Sequence, residues 1–202
     1  EPYINKDFLK MVAYAYKHNV YTMTSTNAHF LDPLTAEETV KAGLGRLVIS
    51  MDGVDQATYE RYRKGGTLDK VLLGTKNLVE AKRRLKSARP FIDLQFIAFD
   101  YNLDQIPEVK RIGKALGVDR VSIKTAQVYD YENSEGWIPE DEKLSRYKKD
   151  KNGEYVIKNK LYNHCWKLWH GAEITWDGRV LPCCFDKDAD HEMGRFPEDA
   201  DF

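Results

Sequence analysis

The chain has 202 residues, 42% apolar and 31% charged, so it can bury a core and is not a solvated tail. Lys plus Arg number 31 against 32 Asp plus Glu, a formal net charge of -1, which argues against a dedicated nucleic-acid binder with its basic excess. No run approaches the ~20 apolar residues of a membrane span, and Glu1-Pro2-Tyr3-Ile4-Asn5 has neither the basic start nor the apolar block of an export signal. A cytoplasmic location, with no membrane and no nucleic-acid partner, is therefore expected. The chain also lacks an initiator Met and reads as a piece of a longer protein.

Residues 5–124 alternate between helical and strand patterns. Asn5 is placed to cap a helix reaching His18, with Phe8, Leu9, Val12, Ala13 and Tyr16 on its apolar face. Val20 to Thr26, β-branched and aromatic, reads as a strand. Thr35 and Glu38 match a capping box opening a short helix that Gly43 ends. Arg46 to Met51 reads as a buried strand, Gln56 to Arg63 as a helix broken at Gly65-Gly66, and Leu68 to Lys86 as a long helix. Phe91 to Phe99 is a strand, Gln105 to Leu116 a helix stopped by Gly117, and Arg120 to Lys124 a further strand.

Such alternation predicts repeated βαβ units and a parallel sheet, with right-handed crossovers that put the helices on one side or curl the sheet into part of a barrel. From Thr125 to Asn163 the sequence turns polar and aromatic, with a charge run over Arg146–Lys151. That run reads as the solvated face of a linker, with a binding patch as the alternative. In the last segment, Glu173–Trp176 and Arg179–Leu181 flank Asp177-Gly178, a strong hairpin signal. Three organisational segments follow: 1–126, 127–163 and 164–202.

Ligands of parallel βα folds gather at the carboxyl ends of the strands. The candidates are then Ser25, Thr26 and Asn27 after the first strand, Ser50 and Asp52 after the second, Gln95 on the third, and Lys124-Thr125 ending the fourth. Glu1-Pro2 precedes the first helix and occupies the same position after a strand not in this chain. Such groups suit a polar nucleoside-like ligand, although Ser, Asn and Asp are also ordinary turn and cap residues. The second candidate is the cysteine segment, Cys165-x12-Gly178-x4-Cys183-Cys184. Three cysteines make a poor disulfide framework, and thiolates brought together by a hairpin suit zinc or an iron–sulfur cluster. Buried, inert cysteines are the alternative. His164, His170 or His191 is available to complete a zinc site.

Glu1-Pro2, Ser25-Thr26-Asn27, Val48 to Gly53 and Tyr-x-x-Tyr-Arg-x-Gly-Gly at 59–66 together resemble the core of radical S-adenosylmethionine (SAM) enzymes. The Cys-x12-Gly-x4-Cys tail resembles the opening of their SPASM extension. The resemblance implies an α/β fold, a partial (βα)6 barrel of which this chain supplies the last four βα units, followed by the start of a SPASM-like extension. By that resemblance Glu1 is the acidic member of the Gly-Gly-Glu-Pro motif that meets the methionyl ammonium. Asn27 lines the same pocket, Ser50 and Asp52 lie toward the ribose, and Arg63 is similar to an arginine that meets the SAM carboxylate. By the same resemblance Cys165 and Cys183 would be auxiliary-cluster ligands, with Cys184 either a third ligand or only their neighbour. The Cys-x3-Cys-x-x-Cys loop of the SAM-cleaving cluster is absent, and the family places it before Glu1.

The implied cofactors are SAM and [4Fe–4S] clusters. The implied partners are a peptide or protein substrate and an electron donor such as flavodoxin or ferredoxin. Two competing readings remain: a zinc-stapled α/β binding module, and a metal-free aldolase-like enzyme using Lys124.

Overall fold

The computed structural model describes residues 1–128, 134, 136–159 and 165–197. It divides into two units, Glu1–Lys158 and Asn159–Phe202.

The first unit is a parallel βα sheet. Its strands are β1 (Met23–Thr26), β2 (Arg46–Ser50), β3 (Phe91–Ala98) and β4 (Arg120–Thr125), hydrogen-bonded in the order β1-β2-β3-β4. The crossovers are α2 (Pro33–Lys41), α3 (Gln56–Tyr62) with α4 (Leu68–Arg84), and α5 (Ile106–Leu116), and α1 (Phe8–Lys17) precedes β1. One apolar cluster joins the helices to one face of the sheet: Val12, Ala36, Val40, Val71, Leu78 and Val109 meet Leu47, Ile49, Ile92, Leu94 and Phe96. Alternation along the strands leaves the other face polar. In register across it stand Val48, Asp93 and Arg120, then Ser50, Gln95 and Ser122.

Low on that face Asp93, with no side-chain exposure, receives hydrogen bonds from Arg46, from Arg120 Nη2 at 2.6 Å and from Ser122 Oγ at 2.7 Å. Burial pushes the Asp93 carboxyl up, but these donors outweigh it and bring it down to about 2.

Several boundaries differ from the sequence expectations, each for a local reason. Asn5 does not cap α1. Its Oδ1 accepts from Asp7 N at 2.9 Å in a turn after the short 3₁₀ segment Pro2–Ile4, and α1 starts at Phe8. Val20 is not in β1, because its N–H turns back to the Ala15 carbonyl and closes α1. The capping box at Thr35 and Glu38 is not formed. Asp32 caps α2 by accepting from Thr35 N at 2.8 Å, with Pro33 in the first turn. A 3₁₀ turn, Asp100–Gln105, occupies the space before α5.

The described part of the expected linker is not a bare connection. Residues 136–158 fall within the first unit and include the antiparallel hairpin β5 (Tyr147–Lys149) and β6 (Tyr155–Ile157). Tyr147 is buried, and its hydroxyl both donates to the Val128 carbonyl and accepts from the Val128 N–H, each at 2.9 Å. The charge run therefore sits on a strand, with Lys148 and Lys149 exposed. Tyr129 and Tyr131 lie outside the described residues.

The second unit holds α6 (Lys167–His170) and the antiparallel strands β7 (Glu173–Ile174), β8 (Arg179–Leu181) and β9 (Gly194–Arg195). The Asp177-Gly178 turn joins β7 to β8 as the sequence predicts. Gly178 has φ +86°, and a Cβ there would come 2.5 Å from the Phe196 carbonyl oxygen, so both conformation and space require glycine. Strand β9 carries no signal of its own and was not expected. No helix among the described residues is long and apolar enough to cross a membrane.

Candidate functional site

At the carboxyl end of β1 the chain turns on a short polar relay. Glu1 Oε1 accepts from the Thr26 hydroxyl and Oε2 from Asn27 N, both at 2.8 Å. Thr26 Oγ1 in turn accepts from Ala28 N at 2.9 Å. Two of the expected site residues, Glu1 and Asn27, are thus in direct contact. A carboxylate offers about four acceptor positions, so Glu1 retains capacity for a further donor such as an ammonium group.

His29 fixes the other side of this loop. Its Nε2 accepts from Thr67 N at 2.9 Å, so that nitrogen carries no proton, and the Nδ1–H donates to the Asn27 carbonyl at 2.8 Å. The imidazole thereby ties the exit of β1 to the start of α4.

After β2, Asp52 and Arg63 form a second contact pair. The Asp52 side chain has no exposure; Oδ2 accepts from Arg63 Nε at 2.6 Å and Oδ1 from Ile97 N at 2.8 Å. Burial pushes the Asp52 carboxyl above its ordinary range, opposed by the Arg63 charge and the Ile97 N–H. With no exposure, the Asp52 side chain is sealed behind Arg63, whose position it fixes. Buried Asn102 adds a tie, donating to the Asp52 and Ile97 carbonyls at 3.2 and 3.1 Å while accepting from Phe99 N. Ser50, nearly buried, lies one rung below in register with Gln95.

Asn27 and Arg63 line one cavity of about 410 Å³ together with His29, Phe30, Tyr59, Lys64, Gly65, Gly66 and Lys70. Glu1, Ser50 and Asp52 are not in that lining. Sequence reasoning missed His29, Tyr59 and Asn102. A signal existed for His29, which stands two residues after Asn27 in the β1 loop. Asn102 has only the signal of an Asn just past a strand.

In the second unit Cys183 and Cys184 line a cavity of about 280 Å³ with Trp166, His170, Gly171, Ala172, Glu173 and Pro182. Cys165 is exposed and outside this lining, beside Trp166. All three thiols are free, and Cys183 Sγ accepts from Phe185 N at 3.5 Å. Soft, unpaired sulfur donors on a turn, one of them already held by a backbone N–H, fit an iron–sulfur cluster. Among the described residues no group of three or more His, Cys, Asp or Glu side chains is gathered closely enough to hold a metal ion. His170 shares the cavity with Cys183 and Cys184, His191 does not, and His164 lies outside the described residues.

Comparison with known proteins agrees with this geometry. Residues 165–200 match the SPASM family, described as an iron–sulfur cluster-binding domain. The chain is 27% identical over 201 residues to the PqqA peptide cyclase of Gluconobacter oxydans, covering 91% of this chain and 54% of that protein. It is 28% identical over 200 residues to a tungsten-containing aldehyde ferredoxin oxidoreductase cofactor-modifying protein of Pyrococcus furiosus, with the same coverage of 91% and 54%. Among solved structures it superposes on Streptococcus suis SuiB bound to S-adenosylmethionine with TM-score 0.65 and 16% identity, covering 96% of this chain and 50% of SuiB. SuiB bound to the precursor peptide SuiA gives TM-score 0.66. The chain spans about half the length of the curated relatives it matches. The fold of the chain is similar to that of SuiB, and its tail matches the SPASM family over residues 165–200.

Proposed function

We propose that this chain is the cofactor-binding core and the start of the cluster-bearing extension of a radical SAM enzyme that modifies a peptide or protein side chain. One observation carries the reading: a four-stranded parallel βα sheet with a polar relay at its strand ends is followed along the chain by a segment matching the SPASM family. The names of the relatives, a peptide cyclase and an enzyme solved with its precursor peptide, support the substrate class.

Glu1, held by Thr26 and Asn27, would accept from the methionyl ammonium. Asn27, whose N–H donates to Glu1, would stand beside it, and Ser50 would face the ribose from the polar rung it shares with Gln95. Arg63, fixed by Asp52, meets the cosubstrate's carboxylate. Cys165, Cys183 and Cys184 would supply thiolates to an auxiliary cluster. SAM, bound with a reduced [4Fe–4S] cluster, would supply the chemistry: a 5′-deoxyadenosyl radical able to take a hydrogen atom from the substrate. The chain's own part is to bind, to orient and to keep water away. A small redox protein such as flavodoxin or ferredoxin would supply the electron, in the reducing cytoplasm that suits free thiols.

The test is anaerobic purification of the intact protein with iron and sulfide analysis, then reaction with SAM and dithionite. Several irons with matching sulfide per chain, and 5′-deoxyadenosine formed, support the reading. One zinc per chain with no sulfide supports the stapled binding module instead.

A further inference from the structure

The basic run at Arg146–Lys151 lies on the β5–β6 hairpin and has no part in the strand-end site. Along this ribbon Arg146, Lys148, Lys149, Lys151 and Lys158 outnumber Asp150 and Glu154, in a chain whose net charge is -1.

The backbone of the ribbon is satisfied on one side only. Lys158 N donates to the Arg146 carbonyl at 2.9 Å and Asp150 N to the Glu154 carbonyl at 2.8 Å. Between them Tyr147 stands opposite Ile157 and Lys149 opposite Tyr155. The alternation of an antiparallel ladder makes those two pairs the non-hydrogen-bonded ones, so their N–H and C=O groups point away from the partner strand. On the β5 side Tyr147 N meets the Ser145 hydroxyl at 3.0 Å. On the β6 side the N–H and C=O of Tyr155 and Ile157 have no partner among the described residues.

Edge strands normally carry a charge, a proline or a bulge that blocks further pairing. Tyr155-Val156-Ile157 has none of these, and Val156 and Ile157 are 36% and 41% exposed. The next residue, Lys158, is drawn back toward the start of β5, where its Nζ donates to the Glu142 and Ser145 carbonyls. A two-stranded ribbon is marginal alone and gains from a third strand. Alternating outward N–H and C=O groups are matched by an extended backbone. Lys149 Nζ stands 5.4 Å from the centre of the Tyr155 ring, so its charge reaches across to the edge strand. A side chain next to Tyr155 on an added strand would lie within reach of that ammonium.

We propose that β6 is a docking edge for an extended, acidic segment of the peptide substrate, which joins the ribbon as a third strand and places a carboxylate beside Lys149. The inference rests on the peptide-modifying reading. The basic run is then a binding patch and not only a solvated face.

The probe is N-acetylated, C-amidated Thr-Val-Glu-Val-Glu-Val-Thr, added to the intact protein. Its controls are a Gln-for-Glu isostere and a version N-methylated at alternate residues. Residue-resolved hydrogen–deuterium exchange reads the Tyr155 and Ile157 amides. At a probe concentration about twice its Kd both should exchange about threefold more slowly, with the β7–β8 hairpin unchanged. The N-methylated probe should protect neither amide, and the Gln probe should need an about threefold higher concentration. Ile157→Pro removes an outward N–H and no ladder bond, so it should weaken binding about fivefold by fluorescence anisotropy of the labelled probe, with circular dichroism unchanged. Should that variant lose its fold, Lys149→Glu tests the same edge, because it should reverse the preference toward a Lys-for-Glu probe.

Equal protection by the Gln or the N-methylated probe, or none by the parent probe, overturns the proposal. Unaltered affinity in both variants does so too. Protection of both amides before any peptide is added also overturns it: in a monomer by sedimentation another segment of the chain holds the edge, and in a dimer a second copy does. Exchange needs no cluster. Edge protection in a protein that forms no 5′-deoxyadenosine would sink the radical reading and keep the docking edge, and 5′-deoxyadenosine without protection would do the reverse.

Discussion

Replacing Asp93 by Asn removes one buried charge while keeping an acceptor for the Ser122 hydroxyl, and the cost can be worked from the structure. The Asp93 carboxyl is held at about 2, and a drop of just under two units from the ordinary carboxylate value corresponds to about 2.5 kcal/mol. The partners are partly solvated, with 47% of the Arg120 side chain and 26% of the Arg46 side chain exposed. Screening there reduces the expected loss to about 1–2 kcal/mol. In a chain of this size that is a fall in Tm of roughly 3–6 °C.

The pH dependence follows from the sign of the shift. A carboxylate whose folded value lies below its unfolded value stabilises fully above the unfolded value, about 4, and loses that stabilisation as pH falls toward about 2. Urea unfolding of the intact wild-type protein and D93N at pH 7 and pH 3 is the assay. The gap between them should be largest at pH 7 and shrink on acidification. A gap that is absent at pH 7, or that stays constant down to pH 3, would refute the claim that the Asp93 charge stabilises the sheet.

Gly74→Ala should destabilise by about 1–3 kcal/mol by thermal melt, although Ala favours a helix interior by about 1 kcal/mol. The added Cβ would come 2.2 Å from the Ala28 carbonyl oxygen, inside the loop that carries Asn27. Glu1→Gln should weaken SAM binding by isothermal calorimetry about tenfold or more, or about 1.4 kcal/mol, with the fold unchanged by circular dichroism. Unchanged affinity would remove Glu1 from the site. Cys183→Ser should lower iron and sulfide content and bleach the visible absorption of the anaerobic protein. Full retention of both would show that Cys183 is no ligand.

Much of the first unit was legible because its signals are repeated. Four strand runs and their intervening helical periods each agree with one layered arrangement, and up to β4 the differences lie at element ends and in short 3₁₀ turns, where a single backbone bond decides, as at Val20. The β5–β6 hairpin was missed because Lys148 and Lys149 hid the inward-facing Tyr147, although Asn152-Gly153 marked its turn. At the site, the sequence pointed to Glu1 and Asn27 as polar groups at strand exits, and the family resemblance pointed to Arg63. It could not show that Asp52 faces Arg63 and the Ile97 N–H, or that the hydroxyl of Tyr59, the first residue of the Tyr-x-x-Tyr-Arg-x-Gly-Gly motif, has no hydrogen-bond partner among the described residues. Those facts depend on which side chains cross between elements, and no local pattern encodes them.

The central claim is tested most directly by single-turnover analysis of the intact, anaerobically prepared protein. With dithionite and SAM it should release 5′-deoxyadenosine and methionine in equal amounts, and the yield should fall sharply in Glu1→Gln and Asn27→Ala. A protein loaded with iron and sulfide that binds SAM yet forms no 5′-deoxyadenosine would contradict the account.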